Sequence, residues 1–122
     1  MSRAVIRPST GAPYSRIMSV ASRRPDRVVT NAEVCEKIDS SDEWIRERSG
    51  IIERRYAARD ESVVDLATSA AREALTRSGV DATDVGMVIL ATVTHPYQTP
   101  SAAAEVAAEI GAVNAGAMDL AA

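Results

Sequence analysis

The side chains with the clearest chemical potential in this sequence stand close together, from Ser40 to Arg48. Trp44 is the one tryptophan, and its neighbours are Asp42, Glu43, Arg46, Glu47 and Arg48. On a helix, that segment offers almost no apolar face beyond Ile45. A large flat ring on a polar helix suits stacking on a planar group, and Arg48, four residues on, shares its face. A guanidinium presents fixed donors to phosphate oxygens, so an adenine ring on Trp44 with a phosphate near Arg48 is a coherent pair. Core packing is the alternative fate of the indole. Ser40 has a structural explanation of its own, as a helix N-cap contributing about 1 kcal/mol.

Other reactive residues sit in settings that argue against catalysis. Cys35 falls in mid-helix with no histidine nearby in sequence, and reads as a small buried side chain. His95, the one histidine, lies in a loop between Thr94 and Pro96 and is expected to be solvated. Arg54 and Arg55 are expected to be solvated or paired charges on a strand. With one cysteine no intrachain disulfide can form, and a reducing cytosol is the natural compartment. One Cys and one His also exclude a four-ligand zinc site built from those residues.

The elements that must position these groups follow from local signals. Thr30 with Glu33 predicts a capped helix from Asn31, carrying Val34 and Ile38 on its apolar side. Ser40 with Glu43 predicts a second helix, ending near Gly50. A strand is expected over residues 51–56, and a third helix from Ser62, with Asp65 at the box position, to Ser78 before Gly79. Residues 85–93 (VGMVILATV) form an apolar, β-branched run that predicts a strand buried on both faces. A polar loop over residues 94–100 leads to Ser101, the cap of an Ala-rich helix closed by Gly111. Residues 115–121 are the last strand candidate.

Arg3, Arg7, Arg16, Arg23, Arg24 and Arg27 face only Asp26 among acids in the first thirty residues, a composition close to that of an organelle transit peptide. The strand-like content of residues 15–22 (SRIMSVAS) points instead to a flexible leader over residues 1–14 and a first strand after it. The 122 residues, 46% hydrophobic and 25% charged, suit one globular domain. A net charge of −3 gives no support for a nucleic-acid partner, and no apolar run is long enough to span a membrane. Helices alternating with apolar strands predict an α/β layer fold with parallel neighbours. Because parallel sheets need layers on both faces, a chain stopping at an apolar strand is expected to be part of a longer one.

The motifs narrow the fold further. Val29-Thr30-Asn31, residues 39–45 (DSSDEWI), residues 48–51 (RSGI) and Arg54-Arg55 come in the order seen in β-ketoacyl-acyl carrier protein synthase III. Residues 88–92, the Pro100-Ser101 step and residues 117–122 (AMDLAA) match later landmarks of that family. The resemblance runs from about Arg16 to the end, and SDEWI followed by R-x-GI is its most specific part.

This resemblance implies a thiolase-like αβαβα fold, with residues 15–122 as an incomplete N-terminal domain. The implied activity is decarboxylating condensation of an acyl-coenzyme A primer with malonyl-acyl carrier protein, in fatty-acid or polyketide initiation. The family's cysteine nucleophile would follow Ala122 directly, with its His and Asn further on, so no catalytic residue is expected in this chain. Trp44, Arg48 and Ser40 would contact coenzyme A, which is a substrate; no separate cofactor or metal is implied. Thr99 would reach the acyl pocket of the partner subunit in a cytoplasmic homodimer. Members restricted to acetyl commonly carry Phe at that position, so Thr99 implies tolerance of larger primers. Alternatives are a polyketide-priming ketosynthase, an acyltransferase that does not condense, and a non-catalytic coenzyme A-binding module.

Overall fold

The computed structural model describes residues 11 and 13–121, so most of the expected leader lies outside the described residues. Residues 15–22 were the expected first strand, yet among the described residues they pair with no strand. Ile17 and Val20 stay exposed, and the segment is held to a helix by Ser19 Oγ donating to the Ala74 carbonyl and Arg77 donating to the Val20 carbonyl. Strand content in the sequence cannot produce a strand without a partner backbone. The first strand is instead β1 (Arg27–Thr30), which pairs antiparallel with β2 (Glu53–Tyr56), Val29 opposite Arg54.

Between these strands lie α1 (Asn31–Cys35) and α2 (Asp42–Ser49). Thr30 caps α1 as expected, accepting from the Glu33 amide, but the Glu33 carboxylate pairs with Arg27. The remainder comprises α3 (Val63–Ser78), a short 3-10 turn at Ala82–Asp84, β3 (Met87–Ala91), α4 (Ala102–Ile110) and β4 (Gly116–Leu120). β3 and β4 are parallel neighbours, with Ile89 beside Met118 and Leu90 beside Asp119. Gly50, Gly79 and Gly111 end α2, α3 and α4 with φ of 71°, 69° and 81°, a left-handed conformation that costs other residues more.

The apolar core forms where α3 and α4 lie on the β3–β4 pair. Val64, Ala102 and Val106 are its buried centre, with Ala67, Ala71, Val88, Leu90 and Ile110 around them. Ala102 and Ala103 are fully buried, so the small side chains do bring α4 close to its neighbours. The strand at 85–93 was expected to be buried on both faces; Met87 and Ile89 are 47% and 57% exposed. Helices cover only one side of β3 among the described residues. No helix among them is long and apolar enough to cross a membrane.

The first set of elements is organised around a polar group. Asn31 is 1% exposed. Its amide nitrogen donates to Asp42 Oδ1 at 2.7 Å and to the Ile51 carbonyl at 2.8 Å, and its oxygen accepts from Arg54 at 2.8 Å. One side chain thereby joins α1, α2, the turn after α2, and β2. Truncating it leaves a guanidinium, a carboxylate and a carbonyl short of a partner. Asn31→Ala is expected to lower unfolding stability by about 3 kcal/mol in urea denaturation.

At the start of α3, the amide and hydroxyl of Ser62 donate to Asp65 Oδ2 at 2.8 and 2.6 Å, and the Asp65 amide donates back to Ser62 Oγ. The hydroxyl bond, then the backbone bond, holds the Asp65 carboxyl below the usual carboxylate range. A carboxyl more acidic in the folded state contributes stability above its unfolded pKa and loses it as pH falls through the folded value. The stability gap between the wild type and Asp65→Asn should therefore narrow below about pH 4, as read by unfolding curves from pH 7 to pH 3. A constant gap would remove the capping carboxylate from the acid response.

Candidate functional site

Helix α2 is the element that displays Trp44 and Arg48. Asp42 and Glu43 occupy its first turn and Arg46 and Arg48 its last, matching the helix dipole, and Asp42 pairs with Arg46 at 3.2 Å. Ile45 is its one buried residue and seats the helix; the opposite surface is polar. Trp44 is 56% exposed, so core packing is not its role among the described residues. The Arg48 guanidinium carbon lies 5.5 Å from the indole centroid, in cation–π range.

The cap of this helix is not the expected residue. Ser41 rather than Ser40 accepts from the Trp44 amide, at 3.1 Å, so the helix begins one residue later than the box pattern predicts. Glu43 then falls at the second helical position and cannot close a box from the third. Ser40 is released from capping. Its hydroxyl is buried without a hydrogen-bond partner among the described residues, and the residue borders an open hollow of about 550 Å³ lined by Ile38, Asp39, Ser40, Ser41 and Trp44. A buried hydroxyl without a partner is uncommon. The structure thus brings Ser40 and Trp44 to one hollow, with Arg48 against the indole. A planar ring with a neighbouring cation and hydroxyl can take a nucleotide or similar ligand.

The other sequence candidates divide differently. Cys35 is half-buried at the end of α1, and His95 lies in a different loop. His95 was expected to be solvated, but its side chain is only 8% exposed; it lies edge-on to Tyr97 and near Glu105 of α4. Arg54 is a half-buried partner of Asn31 rather than a free charge. Arg55 reaches the carbonyls of Pro25 and Asp26. Thr99 is exposed in the loop before α4, next to a cis peptide bond to Pro100.

Asp119 carried no assigned role in the sequence. Its carboxylate accepts from the amides of Ala102 and Ala103 at 2.8 and 2.7 Å, while Ser101 accepts from Ala104. The free amides of the first turn of α4 are thereby satisfied, and the end of β4 is tied to the start of that helix. An acidic residue on an apolar strand was the available signal, but only the parallel register brings it to the helix.

No protein-family model matches the chain. Individual known proteins do. The chain is 50% identical over 114 residues, 93% of its length, to the mycobacterial β-ketoacyl-acyl-carrier-protein synthase III of Mycolicibacterium paratuberculosis. It is 49% identical over 117 residues, 96% of its length, to β-ketoacyl-acyl-carrier-protein synthase III 1 of Streptomyces coelicolor. The chain spans 34% of the length of each. Among solved structures, the priming β-ketosynthase of the R1128 polyketide biosynthetic pathway superposes with a TM-score of 0.84 at 42% identity, covering 94% of this chain and 35% of that one.

The change of cap can be checked directly. Ser41→Ala should cost about 1 kcal/mol of stability. Ser40→Ala should cost less than about 0.5 kcal/mol, because it removes a buried hydroxyl that has no partner. Equal losses by thermal unfolding would restore Ser40 as the cap.

Proposed function

This chain carries the sequence and the thiolase-like fold of the β-ketoacyl-acyl-carrier-protein synthase III family over a third of those enzymes' length, and from that premise we propose that the complete protein is a decarboxylating condensing enzyme. Its substrates are an acyl-coenzyme A primer and malonyl-acyl carrier protein. The observation that carries this reading is the Trp44–Arg48 pair beside the unpartnered Ser40 hydroxyl, on a helix whose sequence is the family's most specific motif. Trp44 stacks on the adenine, Arg48 pairs with a phosphate, and Ser40 borders the same hollow as the coenzyme A contact closest to the start of the helix.

The nucleophile in this reading is a cysteine thiolate following Ala122, at the end of β4. It attacks the primer thioester, forms the acyl-enzyme and releases coenzyme A thiol. Malonyl-acyl carrier protein then loses carbon dioxide. The resulting enolate is stabilised by His and Asn donors elsewhere in the enzyme, and its carbon displaces the cysteine sulfur to give a 3-ketoacyl thioester. Within this chain, Asp119 holds the end of β4 against the N-terminus of α4 and so fixes the backbone leading to that thiolate.

Thr99 borders the acyl pocket of the partner subunit in a cytoplasmic homodimer. A threonine in place of a large aromatic ring leaves room for longer or branched primers, with about 0.8 kcal/mol gained for each methylene that fits. The match to a priming ketosynthase supports polyketide initiation as a second reading, with the same chemistry on a different carrier protein. An acyltransferase that does not condense would release no carbon dioxide, and a coenzyme A-binding module would take up no acyl group.

Intact mass measured before and after incubation with acyl-coenzyme A tests the first step. One acyl group gained by the complete protein is the expected result, and an unchanged mass would remove the acyl-enzyme. Turnover of acetyl-, propionyl- and isobutyryl-coenzyme A tests the pocket: primers larger than acetyl should be accepted. Strict acetyl preference would contradict the role of Thr99.

A further inference from the structure

The loop joining β3 to α4 has no core of its own. Among residues 94–100 only His95 is not exposed, while Tyr97, Gln98 and Thr99 all face outward. A loop of exposed side chains takes its shape from whatever anchors it. The anchor here is the His95 ring. Its Nε2 donates to the carbonyl of Pro100 at 3.4 Å, across the whole loop, and Tyr97 meets it edge-on with centroids 5.6 Å apart. On the helix side, the Glu105 carboxylate lies 3.9 Å from the same nitrogen. The imidazole therefore sits between the two ends of the loop and the first turn of α4, and closes a ring of residues that has Thr99 on its outer edge.

We propose that His95 is a positioning residue: by bonding the Pro100 carbonyl from within the loop, it sets where Thr99 stands and so which acyl primers the pocket admits. This rests on the assignment of Thr99 to an acyl pocket. His95 has no contact with the reacting atoms in this role. Its ring holds the Pro100 carbonyl directly after Thr99, and a bond of this kind to a neutral acceptor contributes modestly to holding one conformation. Losing it frees the loop to place Thr99 at varying depth, which alters discrimination between small and branched primers more than the chemistry common to both.

The test is the ratio of kcat/KM for isobutyryl-coenzyme A to that for acetyl-coenzyme A in the complete protein, for wild type, His95→Leu, His95→Gln and Tyr97→Leu. His95→Leu keeps apolar bulk without the donor and should change the ratio about fivefold. His95→Gln, whose amide nitrogen can reach the same carbonyl, should bring the ratio back to within about twofold of wild type. Should His95→Leu fail to fold, Tyr97→Leu, an exposed position that loosens the ring from its edge contact, should move the ratio in the same direction. An unchanged ratio in the folded variants, even with both rates reduced equally, overturns the role of His95, as does an equal shift in His95→Gln and His95→Leu. Wild type that turns over neither primer overturns the condensing-enzyme reading and this inference with it. A Thr99→Phe control with wild-type ratio overturns the pocket assignment on which the inference rests.

Discussion

The geometry of the first half of this chain depends on one buried amide. Asn31 is almost fully buried, and a polar side chain in that position costs free energy unless its hydrogen-bonding groups are met. They are met by Asp42 of α2, the Ile51 carbonyl and Arg54 of β2. Each partner lies on a different element, so the condition is satisfied only when all three are in place. The apolar contribution on this side is small, with Val29 and Ile45 its buried hydrophobic members. Polar closure does here what packing does around Val64 and Val106. Its functional consequence is orientation: Asp42 opens the helix that carries Trp44 and Arg48, and Asn31 fixes that opening turn against the β1–β2 ribbon.

A second polar tie acts in the other half. Asp119 stands on the inner face of β4 beside Leu90, and spends both carboxylate oxygens on the first amides of α4. His95 holds the preceding loop to the same helix. The start of α4 is thus the meeting point of the strand end, which leads to the proposed nucleophile, and the loop that carries Thr99. A carboxylate at a helix N-terminus is favoured by both hydrogen bonding and the helix dipole, so this arrangement is stable without a large core.

Much of this was legible in the sequence because it is local. The caps at Thr30, Ser62 and Ser101 and the glycine stops at Gly50, Gly79 and Gly111 follow from short-range chemistry and appear as expected. The exposure of Trp44 follows equally from the polarity of its neighbours. What was missed depends on partners distant in sequence. Residues 15–22 have strand composition but no paired strand among the described residues, while Arg27–Thr30, unremarkable in composition, pairs with Glu53–Tyr56. The box pattern favoured Ser40 as the cap of α2, whereas the structure gives the role to Ser41, with Asp42 at the first helical position bonded to the distant Asn31. Asn31, Asp119 and His95 gain their meaning from bonds that span from five to more than twenty residues, which no periodicity encodes.

The central claim is that Trp44 and Arg48 form one coenzyme A-binding surface. A double-mutant cycle on coenzyme A affinity, measured by calorimetry on the complete protein with Trp44→Ala, Arg48→Ala and both together, tests it most directly. The expected result is a loss of about 3–10-fold for Trp44→Ala and about 10–100-fold for Arg48→Ala, with a double mutant that departs from the sum by at least about 0.5 kcal/mol. Wild-type affinity in both single variants would contradict it.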